Sequence, residues 1–327
     1  MSDKLRWGIL ATGHIARKFA AGVRQTQSGE VVAVGSRTQD KADAFGQEFD
    51  IPHRHGSYEA LAADADVDAV YVATPNPMHA ENAVLCLKNR KAVLCEKPFA
   101  VNAAQACEMI DAARAAGLFL MEAMWTRFLP PIRKARQLVD DGAIGELRMI
   151  MADFGFRGDW NPARRTLSAD LAGGGLLDVG IYPISLSSMF FGPARAVAAE
   201  AHIGETGVDE QAGMVVKYDG GRISVMATGI RTQTPMEAWL LGTEGRIHLH
   251  NQWWRGSELT LMVKDKDPET IAPPVVGNGF NYQIDEVARC FAAGKTESDI
   301  MPLDETLSIM KLLDDIRAQW GLKYPME

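Results

Sequence analysis

Short apolar runs alternate with longer amphipathic stretches through the first third of the chain. Residues 4–10, 30–35, 67–73, 92–95 and 118–121 are rich in valine, leucine and alanine, the pattern of parallel strands buried on both faces. Helical spacing follows in the segment through Val23 and at 40–49, 57–63, 79–88 and 103–116. This alternation predicts one doubly wound parallel sheet, an α/β domain over residues 1–122. The pattern changes after Glu122. Strands at 146–153, 196–203, 210–218, 222–230, 236–241, 246–250 and 258–263 come without regular intervening helices, and several alternate, as in Arg222-Ile223-Ser224-Val225-Met226-Ala227. Gly220-Gly221 and Thr243-Glu244-Gly245 read as hairpin turns. Residues 123–327 are therefore expected to form an α+β domain with a large, mostly antiparallel sheet. Helices at 132–140, 281–292 and 303–320 belong to it, the last expected to pack back on the first domain, and 267–274 reads as a loop.

The chemistry gathers where the predicted parallel strands end. Ala11-Thr12-Gly13-His14-Ile15-Ala16 joins the first strand to the first helix, a variant of the G-x-G-x-x-G/A dinucleotide fingerprint. Gly13 lets backbone approach a pyrophosphate, and the helix N-terminus offers free N–H groups to it. Ala11 stands where the first glycine is usual, so the turn is expected to keep a negative φ there. The second strand ends in Gly35-Ser36-Arg37-Thr38, without the carboxylate that holds a ribose 2′-hydroxyl in NAD enzymes. Arg37, with Ser36 and Thr38, suits a 2′-phosphate and hence NADP rather than NAD. Thr74-Pro75-Asn76 ends another strand as a rigid turn bordering the cofactor, with His79 at the next helix start. Glu96-Lys97-Pro98 ends the 92–95 run and points a lysine into the crevice where such sheets bind ligands.

In the second domain, Gly173-Gly174-Gly175 precedes a helix-like run holding Asp178 and Tyr182, four residues apart and so on one helical face. A carboxylate and a phenol aimed at one cleft suit proton transfer. Trp125, Arg127, Phe154, Phe156, Trp160 and Tyr282 are candidates to line a substrate cleft, since aromatic faces stack on sugar C–H surfaces.

Composition narrows the setting. Net charge is −8 and no basic cluster is dense enough to track a nucleic acid. The N-terminus lacks the apolar core of a signal peptide, no run approaches a membrane span, and Cys86, Cys95, Cys107 and Cys290 form no CxxC pair. A cytoplasmic protein with reduced thiols is expected. His53-x-His55 and His248-x-His250 have strand-face spacing, but no carboxylate nearby in sequence completes a ligand set, so no metal is expected. That sets aside a metal-dependent hydrolase.

The fingerprint through Ala16, Glu96-Lys97-Pro98, and Gly173 to Tyr182 together resemble the family of glucose–fructose oxidoreductase and inositol dehydrogenase, NAD(P)-dependent sugar and cyclitol dehydrogenases. The resemblance covers essentially the whole chain. Met121 to Phe128 and the tyrosine at 182 resemble, within it, the dimeric dihydrodiol dehydrogenases and NADP-dependent D-xylose dehydrogenases. The resemblance implies a Rossmann domain, Lys97, Asp178 and Tyr182 as the catalytic set, Glu96 and Lys97 beside the cofactor, and an open sheet that mediates a homodimer or dimer of dimers. It implies hydride transfer between nicotinamide and a CH–OH carbon of a sugar or vicinal diol. Two alternatives stay open at this point: Tyr182 or Lys97 as the acid–base group, and a non-catalytic NADP-binding redox sensor on the same fold.

Overall fold

The computed structural model describes residues 4–327. It divides into two compact units. Among the described residues, unit 1 holds 4–125 and 276–306, and unit 2 holds 126–275 and 307–327.

Unit 1 is built on a six-stranded parallel sheet. Its elements are β1 (Leu5–Leu10), α1 (His14–Val23), β2 (Gly29–Gly35), α2 (Gln39–Glu48), β3 (His53–His55), α3 (Tyr58–Ala62), β4 (Ala69–Val72), α4 (His79–Lys88), β5 (Ala92–Cys95), α5 (Ala103–Ala116) and β6 (Leu120–Glu122). The strand order β3-β2-β1-β4-β5-β6 reverses between β1 and β4, the switch point at which open α/β sheets bind ligands. Every residue of β4 and β5 is buried, which is why these strands read as unbroken apolar runs. Trp7 meets Phe19 edge-on, and Phe19 stacks on Tyr71 at 3.8 Å between centroids, fixing α1 to the sheet.

The chain does not cross between units only once, as a 1–122/123–327 division supposes. It returns to unit 1 for residues 276–306, including the helix Asn281–Ala292. That helix packs on α1 and β2, and Phe280 reaches the bare Cα of Gly22, where a Cβ would lie 2.9 Å from Phe280 Cβ. The physical reason is an apolar stripe of Ile284, Val287 and Cys290, all buried, that a sequence pattern cannot assign to one partner. The final helix, Leu303–Trp320, begins in unit 1 and continues into unit 2.

Unit 2 contains α6 (Pro130–Asp140), β7 (Leu147–Gly155), α7 (Ile181–Phe191), β8 (Ala196–Ile203), β9 (Asp209–Lys217), β10 (Ile223–Gly229), β11 (Ala238–Gly242), β12 (Gly245–Leu249), β13 (Leu259–Val263) and β14 (Glu269–Ile271). These strands form one open sheet in the order β14-β13-β12-β11-β7-β10-β9-β8, antiparallel except for β7 beside β10. Two strands escape the sequence reading. β3 has three residues, and β14 lies in the segment expected to be a loop because edge strands need no apolar face. Gly220 and Gly221 both take positive φ in the β9–β10 turn, as a tight hairpin requires. Ala169–Phe191 is long and apolar enough to cross a membrane, contrary to the expectation that no run is, but 83% of its apolar window is buried inside the protein. It is the core segment of unit 2, packed on β7 and β10.

Candidate active site

In unit 1 the sheet's carboxyl edge collects the predicted cofactor residues. Ala11, Thr12 and Gly13 follow β1, Ser36, Arg37 and Thr38 follow β2, Thr74, Pro75 and Asn76 follow β4, and Glu96 and Lys97 follow β5. A Cβ on Gly13 would meet nothing within 4 Å, so open space lies over that turn. No side chain caps α1 at Gly13, which leaves the first N–H groups, from His14 and Ile15, to an anion. Ala16 is fully buried and brings α1 against the strand. Ala11 departs from expectation: its φ is +92°, the conformation the usual glycine supplies without strain. Its N–H is held by Gly35 O at 2.9 Å, so the turn is fixed by the sheet despite the side chain.

Asn76 is 5% exposed, and neither atom of its carboxamide has a hydrogen-bond partner. A buried amide with unused donor and acceptor on a ligand-binding edge fits a bound polar group. Arg37 is exposed and lines a cleft of about 500 Å³ with Ser57, Tyr58, Met78, Glu81 and Asn82. Glu59 and Glu81 share this cleft, so carboxylates do stand near Arg37 although the end of β2 at Gly35 to Thr38 carries none. Ser36 is buried, its N–H bonded to His55 O. These features fit a dinucleotide: the α1 end and Gly13 for its pyrophosphate, Arg37 for a ribose phosphate and Asn76 for a polar group.

The Glu96-Lys97-Pro98 turn is clamped from several sides. Tyr71 donates its hydroxyl to Glu96 Oε1, Lys97 N–H reaches Glu96 Oε2 at 3.1 Å, and Phe99 N–H reaches Glu122 Oε1 at 3.2 Å. His79 sets Nδ1 2.8 Å from Pro98 O and Nε2 2.9 Å from Thr74 O, tying the ends of β4 and β5 together. Burial pushes the His79 imidazole down to about 4 against the pull of these carbonyls. A neutral ring donates to only one of them. The peptide between Lys97 and Pro98 is cis. Within residues 91–100 Lys97 alone is not buried. Lys97 is thus a partly exposed residue in an otherwise buried, multiply hydrogen-bonded turn.

In unit 2, Asp178 and Tyr182 do not sit on one uniform α-helix. Leu176–Gly180 is a π-helical turn leading into α7, a form found often at functional sites. Asp178 pairs with Arg165 at 2.8 Å. Tyr182 is 7% exposed, with its ring 5.3 Å from that of Phe154. Phe154 in turn stacks on Trp254 at 3.5 Å. The π-turn is anchored by Asp209, whose Oδ2 accepts Leu176 N–H at 2.6 Å. Gly174 has φ +111°, and a Cβ there would lie 2.1 Å from Asp209 Oδ1, so the glycine run lets this carboxyl approach backbone. Thr228 donates to Gly175 O at 3.2 Å and Tyr324 to Gly173 O at 2.5 Å. Burial pushes the Asp209 carboxyl up to about 7.

The predicted substrate residues have different local surroundings. Arg127 is 1% exposed and donates to Ser185 Oγ and O. Trp125 stacks on Phe280, Trp160 is exposed beneath the Arg231 guanidinium, Phe156 is half-buried, and the Tyr282 hydroxyl accepts Val276 N–H at 2.7 Å. Phe154 packs its ring against that of Tyr182. Sequence reasoning missed Tyr71, Glu122, Arg165, Asp209 and Trp254. Tyr71 and Glu122 carried a signal, each a polar tip in an otherwise apolar buried strand.

Comparison with known proteins settles the family. Residues 5–124 match the oxidoreductase family with an NAD-binding Rossmann fold, and residues 132–248 match the GFO/IDH/MocA C-terminal domain. The chain belongs to the GFO/IDH/MocA family of oxidoreductases. Trans-1,2-dihydrobenzene-1,2-diol dehydrogenases from Mus musculus and Homo sapiens are each 38% identical to it, over 99% of both chains. Among solved structures, the aldose–aldose oxidoreductase from Caulobacter crescentus, complexed with glycerol, superimposes with a TM-score of 0.90 at 26% identity, covering 98% of both chains. A 3-ketoreductase from Actinomadura kijaniata, in complex with NADP and TDP-benzene, gives 0.86 at 27% identity over 97% of this chain and 98% of its own. The expected Rossmann domain, open sheet and oxidoreductase class all stand in this GFO/IDH/MocA protein.

Proposed function

We propose that this GFO/IDH/MocA protein is an NADP-dependent dehydrogenase acting on a CH–OH carbon of a vicinal diol or sugar, a trans-dihydrodiol or an aldose such as D-xylose. The full-length similarity to dihydrodiol dehydrogenases carries this reading. The NADP-bound ketoreductase and the Arg37 cleft support the choice of cofactor. When bound, NADP supplies the hydride acceptor or donor at its nicotinamide. The chain's part is to move the hydroxyl proton. Tyrosine ordinarily titrates near 10, so a phenol needs a cation's field to accept a proton at neutral pH. Tyr182 is assigned as proton acceptor, Lys97 as its electrostatic partner and hydroxyl donor, and Asp178 as the group that orients them or the substrate. Lys97 as the acid–base group itself is the alternative. Phe154 and Trp254 offer an apolar wall beside Tyr182 for the substrate's C–H surface.

A panel of trans-diols, polyols and aldoses with NADP⁺, followed by absorbance of the reduced nicotinamide, tests this. Turnover of a diol or aldose is expected. A redox sensor would bind NADP⁺ and turn over nothing on the panel, and that result would contradict the proposal.

The same reading includes a homodimer, or dimer of dimers, through the open sheet. Val225 is paired across the strands with Val215 and with Met151, and Met151 with Trp239. Val215, Val225 and Met151 are 46%, 36% and 44% exposed, a contiguous apolar row on the outer face. Such a row favours association. A cytoplasmic setting is part of the proposal.

A further inference from the structure

The two His-x-His pairs have carboxylates after all, supplied by folding rather than by sequence proximity. His248 Nε2 stands 3.1 Å from Glu237. The other pair is more complete. His53 and His55 project from the same side of β3, and Asp64, in the turn after α3, sets one oxygen between them. Asp64 Oδ2 is 2.7 Å from His53 Nδ1 and 2.8 Å from His55 Nε2. All three donor atoms lie within 4.8 Å of one another.

The surroundings are those of a prepared ligand set. Asp66 N–H holds Asp64 Oδ1 at 2.9 Å, which turns Oδ2 toward the imidazoles. The Asp64 side chain is only 8% exposed, and both imidazoles lie against its Oδ2. Asp66 Oδ2 lies 3.9 Å from His53 Nε2, on the far side of that ring, while its Oδ1 pairs with Arg6. A carboxylate behind a ligating imidazole is the outer partner that fixes the ring's tautomer and raises its basicity. Neighbouring Arg54 turns away, its Nε on Ile51 O.

We propose that His53, His55 and Asp64 bind a borderline divalent cation of the Zn²⁺ class, on the outer edge of the parallel sheet. Two imidazoles and one carboxylate, with water at the fourth position, make a tetrahedral donor set. Donors around such an ion sit about 3.3 Å apart, so the contacts must open by roughly half an ångström. Binding replaces the His53 Nδ1 proton, which moves to Nε2 facing Asp66, and the His55 Nε2 proton, which moves to Nδ1. No charge is lost from the pair when both rings start neutral. The ion would tie strand β3 to the turn after α3 and so stabilise unit 1 by mass action.

Chelator-treated, chelator-free full-length protein titrated with Zn²⁺ by calorimetry tests the site, with Mg²⁺ as the hard-cation control. One Zn²⁺ per chain at micromolar affinity is expected, with no heat from Mg²⁺. His55→Gln and Asp64→Asn should each weaken binding by at least about 100-fold, and Asp66→Asn by about 10-fold. His248→Gln should leave affinity unchanged. Zn²⁺ should raise the thermal midpoint of the unaltered protein and not that of His55→Gln. If Asp64→Asn fails to fold, His53→Gln, on a more exposed side chain, carries the same expectation. Absence of binding at millimolar Zn²⁺, or equal affinity in folded His53→Gln, His55→Gln and unaltered protein, would overturn the proposal.

Discussion

Arg37 and Ala11 carry the proposed cofactor reading at the scale of single residues. An exposed guanidinium beside Ser36 and Thr38 is a bidentate donor for a phosphate, and losing such a contact costs roughly 1.5–3 kcal/mol. Arg37→Ala should raise the KM for NADP⁺ by about one to two decades and leave NAD⁺ nearly unaffected. Equal use of both cofactors by the unaltered protein would contradict the assignment. Ala11 carries a φ of +92°, a region that costs an L-residue about 1–2 kcal/mol. Glycine relieves that strain but orders at a cost of roughly 0.5–1 kcal/mol. Ala11→Gly should therefore raise the thermal unfolding midpoint slightly, and a fall would show that the turn is relaxed with alanine. The sequence displays the alanine plainly; its φ depends on how Gly35 O holds the amide, which is a tertiary fact.

At the scale of elements, most helices and strands were legible because their apolar periodicity is strong. Ala196–Ile203, His79–Lys88 and Ala103–Ala116 match the sequence reading at both ends. The π-turn at Leu176–Gly180 was not legible, since its extra residue per turn follows from Asp209, 33 residues further on, gripping Leu176 N–H. The burial of that carboxyl predicts a pH dependence. The native Asp209 carboxyl titrates near 7, above its ordinary 3.8. The folded protein therefore holds a proton that the unfolded chain releases, and stability falls as pH rises from about 4 to 7. His79 acts oppositely: its native value near 4 lies below the ordinary 6.5, so its contribution is lost as pH falls through that window. Comparing the unaltered protein with Asp209→Asn isolates the carboxyl. From pH 5 to pH 8 the midpoint of the unaltered protein should drop relative to that of the variant; a constant difference would show that Asp209 stays ionised throughout.

For the whole molecule, the parallel sheet of the first unit and the large, mostly antiparallel sheet of the second follow from the patterning, while the order of strands within each does not. The return of residues 276–306 to unit 1 does not, because an amphipathic helix states that it has a partner and not which one. The row Val215, Val225 and Met151 leaves the second sheet with an apolar outer face. If the proposed dimer forms through this face, Val215→Glu together with Val225→Glu should give monomers by light scattering at micromolar concentration, and an unaltered protein already monomeric there would refute the dimer.

The central claim is that Tyr182 and Lys97 handle the substrate proton as one unit. Steady-state kcat of Tyr182→Phe, Lys97→Met and the double variant, on the best diol or aldose with NADP⁺ and across pH 6 to 10, measures it. Each single variant should lose about 10²–10⁴-fold in kcat while NADP⁺ affinity holds, and the double should lose little more than the worse single. Near-normal kcat for Tyr182→Phe throughout that range would contradict the tyrosine assignment and leave Lys97 or Asp178 to carry the proton.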